Sequence, residues 1–247
     1  SQALKRAFAP YCLGGPYGRL LDAEREHLGT ATVQAFETEG LIGTGATAVQ
    51  VVPELETGGA EQTTIDVAQA VVNAGGKALV ATRGGRMAAR LQSDGGRLAQ
   101  MPVQSKNPLV MLGNAARLVD LIRSEKVSLV HARSRAPAFS ALWAAKATDT
   151  PFVATYHGVY KAKTSFKRWY NAIMTRGDLV IANSDYTRDH VLAEHGIDPE
   201  KIVTIPRGVD LLLAVTRHPG MLVYLDNVQS IGADSRLGVA SRRRAGY

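Results

Sequence analysis

The sequence predicts an α/β fold, a Rossmann-like parallel sheet with helices on both faces, and three observations lead there. From about residue 49 to residue 210, strand-like and helix-like stretches alternate, the pattern of βαβ units. The strand candidates are near-continuous apolar runs, as expected when helices cover both faces. About seven of them fall within roughly 160 residues, a length that one domain holds.

Taken in order, Val49–Pro53 is the first strand and ends in a loop containing Gly58-Gly59. Ala60–Ala74 repeats Ile65, Val67, Ala68, Val71 and Val72 at helical spacing, and Gly75-Gly76 stops it. Ala78–Ala81 is the next strand, Met87–Leu91 starts a helix, and Leu98–Val103 gives a third strand. Asn107–Glu125 reads as an amphipathic helix with Leu109, Leu112, Ala116, Leu118, Leu121 and Ile122 on its inner side. Val127–Ala132 follows as a buried strand and Pro137–Ala147 as an alanine-rich helix. Phe152–Tyr156 is a strand that runs into His157-Gly158. A helix over Phe166–Arg176, a strand over Asp178–Ala182, a helix capped by Ser184 and running to His195, and a strand over Ile202–Pro206 complete the series.

The two ends break the pattern. Residues 1–47 hold a helical opening, a Gly14-Gly15-Pro16 turn and a Gly-, Thr- and Ala-rich stretch. Beyond Asp210, an apolar run over Leu211–Leu225 gives way to Gly-, Ser- and Arg-rich text. Each end is too short for a core of its own, so the expected organisation is an appended segment 1–47, a domain 48–210 and an appended segment 211–247.

Composition narrows the function classes. With 45% apolar and 21% charged residues, the chain is neither disordered nor fibrous. Its single cysteine, Cys12, excludes an internal disulfide framework and a cysteine zinc site, and fits a reducing cytoplasm. No metal site is expected. No apolar stretch reaches the eighteen or so residues of a membrane span, and Ser1–Arg6 lacks a signal-peptide core. A formal charge of +7 favours anionic partners without choosing among phosphosugars, nucleotides, lipid head groups and nucleic acid. Arg242-Arg243-Arg244 reads as a solvated basic run, and no nucleic-acid motif with interleaved aromatics is present.

Chemistry is expected beyond the carboxyl ends of the strands, where open parallel sheets bind ligands. In the loop Glu54–Glu61, Gly58 and Gly59 let backbone N–H groups approach a phosphate at a helix N-terminus. The three-glycine dinucleotide fingerprint is absent, and an isolated Gly-Gly before a helix is by itself only a turn. Val130-His131-Ala132-Arg133-Ser134-Arg135 closes the fourth strand, Thr155-Tyr156-His157-Gly158 the fifth, and Ile181-Ala182-Asn183-Ser184 the sixth. A lone His131 or His157 is most simply a satisfied, partly buried histidine. Gly158 at a strand end favours a site for His157, while His131 admits both readings. Arg133, Arg135, Lys161, Lys163, Lys167 and Arg168 are candidates to line an anion-accepting cleft, against the simpler reading of a solvated face. Ser105–Pro108 is a helix-start turn and Asn183-Ser184 an N-cap.

In this order the motifs, with Ile205-Pro206-Arg207-Gly208-Val209-Asp210, resemble the N-terminal, acceptor-side half of family 4 glycosyltransferases of the GT-B fold. The likeness covers about two thirds of the chain; Arg207 stands where asparagine is more usual. It implies retaining sugar transfer from a nucleotide-sugar donor, itself a substrate and not a cofactor, to a sugar or lipid-linked acceptor in envelope polysaccharide or glycolipid synthesis. It implies His157 near the reaction centre, with Gly58, Gly59, Glu61, His131, Arg133, Gly158, Asn183 and Ser184 around donor diphosphate and substrate. It also implies a cytoplasmic protein, peripheral to the inner face of the membrane. The oligomeric state is open.

The donor half of such an enzyme is not found in the 37 residues after Asp210, so the chain alone is expected to be inactive. Asp210–Asn227 instead resembles a stretch of an uncharacterised bacterial family, and Phe8–Asp22 a fragment of a conjugative-transfer (type IV secretion) ATPase without its phosphate-binding loop. The sequence therefore reads as a composite, whose joins would leave Leu211, Leu212, Leu213, Met221 and Leu222 exposed. Two other function classes are a non-catalytic Rossmann module binding a nucleotide, phosphosugar or partner chain, and a fragment of a DNA-transfer protein.

Overall fold

The computed structural model describes residues 16–160, 162 and 164–206, with side chains from residue 28 onward and at residue 26. The sequence features at residues 1–15, Lys161, Lys163 and 207–247 lie outside the described residues.

Seven strands form one parallel sheet: β1 (Thr47–Val51), β2 (Lys77–Thr82), β3 (Arg97–Gln100), β4 (Leu129–Ala132), β5 (Phe152–Tyr156), β6 (Leu179–Ala182) and β7 (Ile202–Thr204). Their order is β3-β2-β1-β4-β5-β6-β7. The chain winds outward from β1 through β2 to β3, crosses back to β4, and winds the other way. That crossing makes β1 and β4 neighbours, with Gln50 opposite His131 and Val51 opposite Ala132. The α/β fold and both-face covering expected from sequence are therefore present.

Helices α1 (Pro16–Thr38), α2 (Gly59–Asn73) and α3 (Ala88–Ser93) cover one face. There Leu28, Val33, Phe36, Ile65, Ala68, Val71 and Leu91 pack on Ala48, Val80, Leu129 and Val153. Helices α4 (Pro108–Glu125), α5 (Arg135–Ala147) and α7 (Asp185–His195) cover the other face. The short α6 (Ser165–Asn171) continues as a 3-10 turn over Ala172–Thr175, whose Ile173 and Met174 are buried on that face. Residues 28–47, expected to belong to an appendage, thus supply Leu28, Val33 and Phe36 to the core.

The inner face of α4 differs from the sequence reading. Its buried residues are Met111, Asn114, Ala115, Leu118 and Ile122, whereas Leu109, Leu112 and Ala116 are exposed. Asn114 explains the rotation: it is fully buried because its Nδ2 donates to Pro102 O at 2.9 Å. A polar residue in the stripe is invisible to a rule that counts apolar side chains.

Candidate functional site

The strand order reverses between β1 and β4, and at such a switch point open parallel sheets form their ligand crevice, beyond the carboxyl end of the sheet. Two helices start there, α2 after Gly58 and α5 after Ser134. Both N-cap residues are extended and make no side-chain cap bond; short α3 also lacks a side-chain cap bond, but its N-cap Met87 is not extended. By contrast α4, α6 and α7 are capped by Asn107, Thr164 and Ser184. The helices flanking the crevice thus keep N-terminal donors uncapped by side chains, an arrangement suited to an anion.

Gly58 and Gly59 are exposed at this point. Glu61, on the first turn of α2, folds its carboxylate back over Gly58, so a Cβ there would strike it. The chain's own negative charge therefore sits beside the helix start, favourably for the helix and in opposition to an incoming anion. The loop beneath is fixed by the β2 exit: Leu55 N donates to Gly84 O at 2.8 Å, and Met87 N to Leu55 O at 2.8 Å. Gly85, at φ +146°, must be glycine, because a Cβ would collide with the Leu55 carbonyl.

Below the crevice lies a buried polar network. Arg133 Nε and Nη2 donate to Gln50 Oε1 at 2.9 and 2.6 Å, and its Nη1 donates to Thr63 Oγ1 at 3.2 Å. Gln50 Nε2 donates in turn to Thr64 O at 2.8 Å. One guanidinium thereby ties β4 to β1 and to the first turns of α2. His131 is also buried, with Nε2 2.7 Å from Thr155 Oγ1 and its ring edge-on to Phe36. Burial, then Arg133 and His157, push its pKa well below 6.5, so it is neutral. Arg133 and His131 thus make their contacts inside the protein.

His157 and Gly158 follow β5 and are half-buried. A Cβ at Gly158 would meet nothing within 4 Å, so packing does not require glycine there. Asn183 Nδ2 donates to His157 O at 3.2 Å, and Asn183 Oδ1 accepts from Thr187 Oγ1 at 2.8 Å. Ser184 Oγ accepts from Thr187 N at 3.2 Å. Asn183 thus ties the β6 exit to the β5 exit, while Ser184 caps α7. Of the candidate cations, Arg135 lies over the Tyr160 ring at 4.1 Å and donates to Asn171 Oδ1 at 2.7 Å. Arg168 pairs with Glu194 at 3.1 Å, while Lys167 is exposed on α6. These residues do not line one cleft.

Sequence reasoning missed Gln50, Thr63, Gly85 and Asn171. Gln50 had a signal, since it interrupts an apolar strand and a buried amide demands a partner. Among the described residues, no group of three or more His, Cys, Asp or Glu is placed to hold a metal ion. No helix of the described residues is long and apolar enough to cross a membrane.

Comparison with known proteins agrees with this topology. A glycosyltransferase from Rickettsia africae is 35% identical, covering 77% of this chain and 51% of its own length, with a TM-score of 0.61. Anabaena HepE, solved with UDP and glucose, is 21% identical over 68% of this chain and 46% of its own, with a TM-score of 0.56. MurG of Acinetobacter baumannii is 13% identical over 67% and 47%, with a TM-score of 0.51, and like HepE shares the fold alone. The chain thus spans about half the length of the solved structures it matches. No curated protein matches. The family model of Glycosyltransferase Family 4 matches residues 57–212, more than half of the chain, and the chain belongs to that family.

Proposed function

We propose that residues 48–210 are the acceptor-side domain of a retaining, nucleotide-sugar-dependent glycosyltransferase. Its product is an envelope polysaccharide or glycolipid, and it works in the cytoplasm at the inner face of the membrane. The observation that carries this reading is the switch-point crevice, where Gly58-Gly59 opens an α2 helix without a side-chain cap and His157 stands two strands away. Support comes from family membership and from HepE, which was solved with UDP-glucose. In the proposed mechanism the α2 N-terminus receives diphosphate charge, and His157 faces the donor sugar as a hydrogen-bonding group.

Transfer also needs a donor-side half, because one wall of a cleft cannot hold both substrates in reacting geometry. Residues 48–210 on their own therefore bind without turning over. Titration calorimetry with UDP and UDP-glucose tests this reading, using Gly59→Trp to fill the crevice. Binding lost in the variant supports it. No binding at millimolar ligand sinks it, and sugar transfer by the chain alone overturns the requirement for a second half.

A further inference from the structure

An aromatic surface lies on the α4–α5–α6 side of the molecule, which the crevice chemistry does not use. Phe166 and Trp169 of α6 are 73% and 50% exposed, and their rings stack with centroids 5.8 Å apart. Trp169 and Trp143 each pack against Phe139 of α5, at 5.8 and 6.1 Å, so the three exposed rings form one patch around a buried one. Next to α5, Ser140 Oγ donates to Met111 O of α4, and that helix carries Leu109 and Leu112 at 77% and 56% exposure. Core packing leaves Leu109, Leu112, Phe166 and Trp169 at least half exposed.

Charge identifies what the patch meets. From Trp143 to Asp178 the sequence contains six basic residues, Lys146, Lys161, Lys163, Lys167, Arg168 and Arg176, against acidic Asp149 and Asp178. Arg176 reaches over the Trp169 ring at 5.9 Å, and Lys167 lies between Phe166 and Trp169 in the chain. Among the described residues Lys146, Lys167 and Arg176 form no salt bridge, whereas Arg168 does. Exposed indole and phenyl rings interleaved with uncompensated cations match an anionic lipid surface. Rings settle at the boundary between head groups and acyl chains, and each cation near the surface gains about 1 kcal/mol. A protein partner would bring directional acceptors for the cations and a pocket for the rings, and neither is implied by exposed rings beside cations that form no salt bridge.

We propose that the face formed by Phe166, Trp169, Trp143, Lys167 and Arg176 docks the domain on an anionic bilayer. The inference deepens the membrane-side placement proposed above and rests on it. Its test reads lipid binding and not sugar transfer, so the two fail separately.

The chain's only two tryptophans, Trp143 and Trp169, both lie in the patch and report on it directly. The full chain is mixed with vesicles of phosphatidylcholine alone, or of phosphatidylcholine and phosphatidylglycerol in equal parts. Tryptophan emission and cosedimentation are read together. The expected result is a blue shift and cosedimentation with the anionic vesicles only, both weakened by added salt. Lys167→Gln and Arg176→Gln each lower partitioning about fivefold, the equivalent of ~1 kcal/mol per cation. Phe166→Ser combined with Trp169→Ser abolishes it. Cosedimentation without a change in emission places binding elsewhere on the chain and overturns the proposal, as does equal binding to both vesicle types or to neither. The wild-type emission decides the matter even if a variant fails to fold.

Discussion

Gln50 and Arg133 meet in one contact, yet removing either has a different consequence. Arg133→Met takes away a charge and leaves Gln50 Oε1 and Thr63 Oγ1 short of a donor, at about 1–3 kcal/mol for each buried group left unmade. Gln50→Leu leaves the guanidinium in place, 3% exposed, still donating to Thr63 but without the Gln50 acceptor. A hydrogen bond to a charged group contributes about 1.5–3 kcal/mol. Urea unfolding should therefore show both variants destabilised; an unchanged midpoint for Gln50→Leu would mean that the amide is a bystander. His131 sets a pH dependence. Its folded pKa lies well below 6.5, mainly through burial, so below about pH 6.5 the unfolded chain binds a proton that the folded chain refuses. Stability is then lost as pH falls from that value, by at most ~1.4 kcal/mol per pH unit for one proton. His195, also lowered chiefly by burial, acts with the same sign. His131→Phe should flatten the slope between about pH 6.5 and pH 5, and an unchanged slope would show that His131 is not the group responsible.

The helices and strands were largely legible, because each has its own apolar pattern and punctuation. The strand over Phe152–Tyr156 and the helix from Ser184 to His195 match the sequence reading to the residue. Reading β1 from Val49 missed Thr47 and Ala48, which belong because Lys77 and Ala78 pair with them. The Phe166–Arg176 helix ends at Asn171, whose buried amide donates to Tyr160 O. Boundaries and inner faces set by distant partners are not written locally, as Asn114 also shows. The site was legible only in part. Gly58, Gly59 and His157 fall at strand ends where the topology predicts a ligand, while Arg133 and His131 sit in the layer beneath, and strand-end position alone does not separate the two. The packing of α1 on α2 was the least visible feature, since Gly29 looks like a helix-weakening residue. A Cβ at Gly29 would meet Asp66 O at 2.6 Å and Ala70 Cβ at 2.9 Å. Gly29→Ala should therefore destabilise the fold despite its gain of about 1 kcal/mol in helix propensity, because overpacking a helix crossing costs ~1–3 kcal/mol. A rise in unfolding free energy would show that the helices separate without penalty.

How far the domain extends toward the N-terminus bears on whether residues 1–47 are an attachment or part of the fold. Composition proposes a boundary near residue 48, and the Gly40–Gly45 stretch that separates α1 from β1 is exposed or half-exposed over Gly40–Gly45. That stretch contains Gly40 and Gly45 at positive φ, +65° and +74°, and it is where a protease has access. Yet Phe36 is 1% exposed, set against His131 and within the cluster formed by α2 and the sheet. Burying a phenylalanine side chain contributes about 1.5–3 kcal/mol, and Leu28 and Val33 add to it. Cutting the connection removes a covalent tether but none of this contact. After mild proteolysis, a fragment carrying Leu28–Thr38 should therefore elute with the sheet domain on a sizing column and separate only in denaturant. Mass spectrometry of the native peak is the measurement. A domain starting near residue 48 that elutes without the α1 peptide would restore the boundary suggested by composition and make α1 an attachment. Co-elution, combined with loss of the helix in Phe36→Ala, which removes ~3–5 kcal/mol, would make α1 an integral layer of the domain.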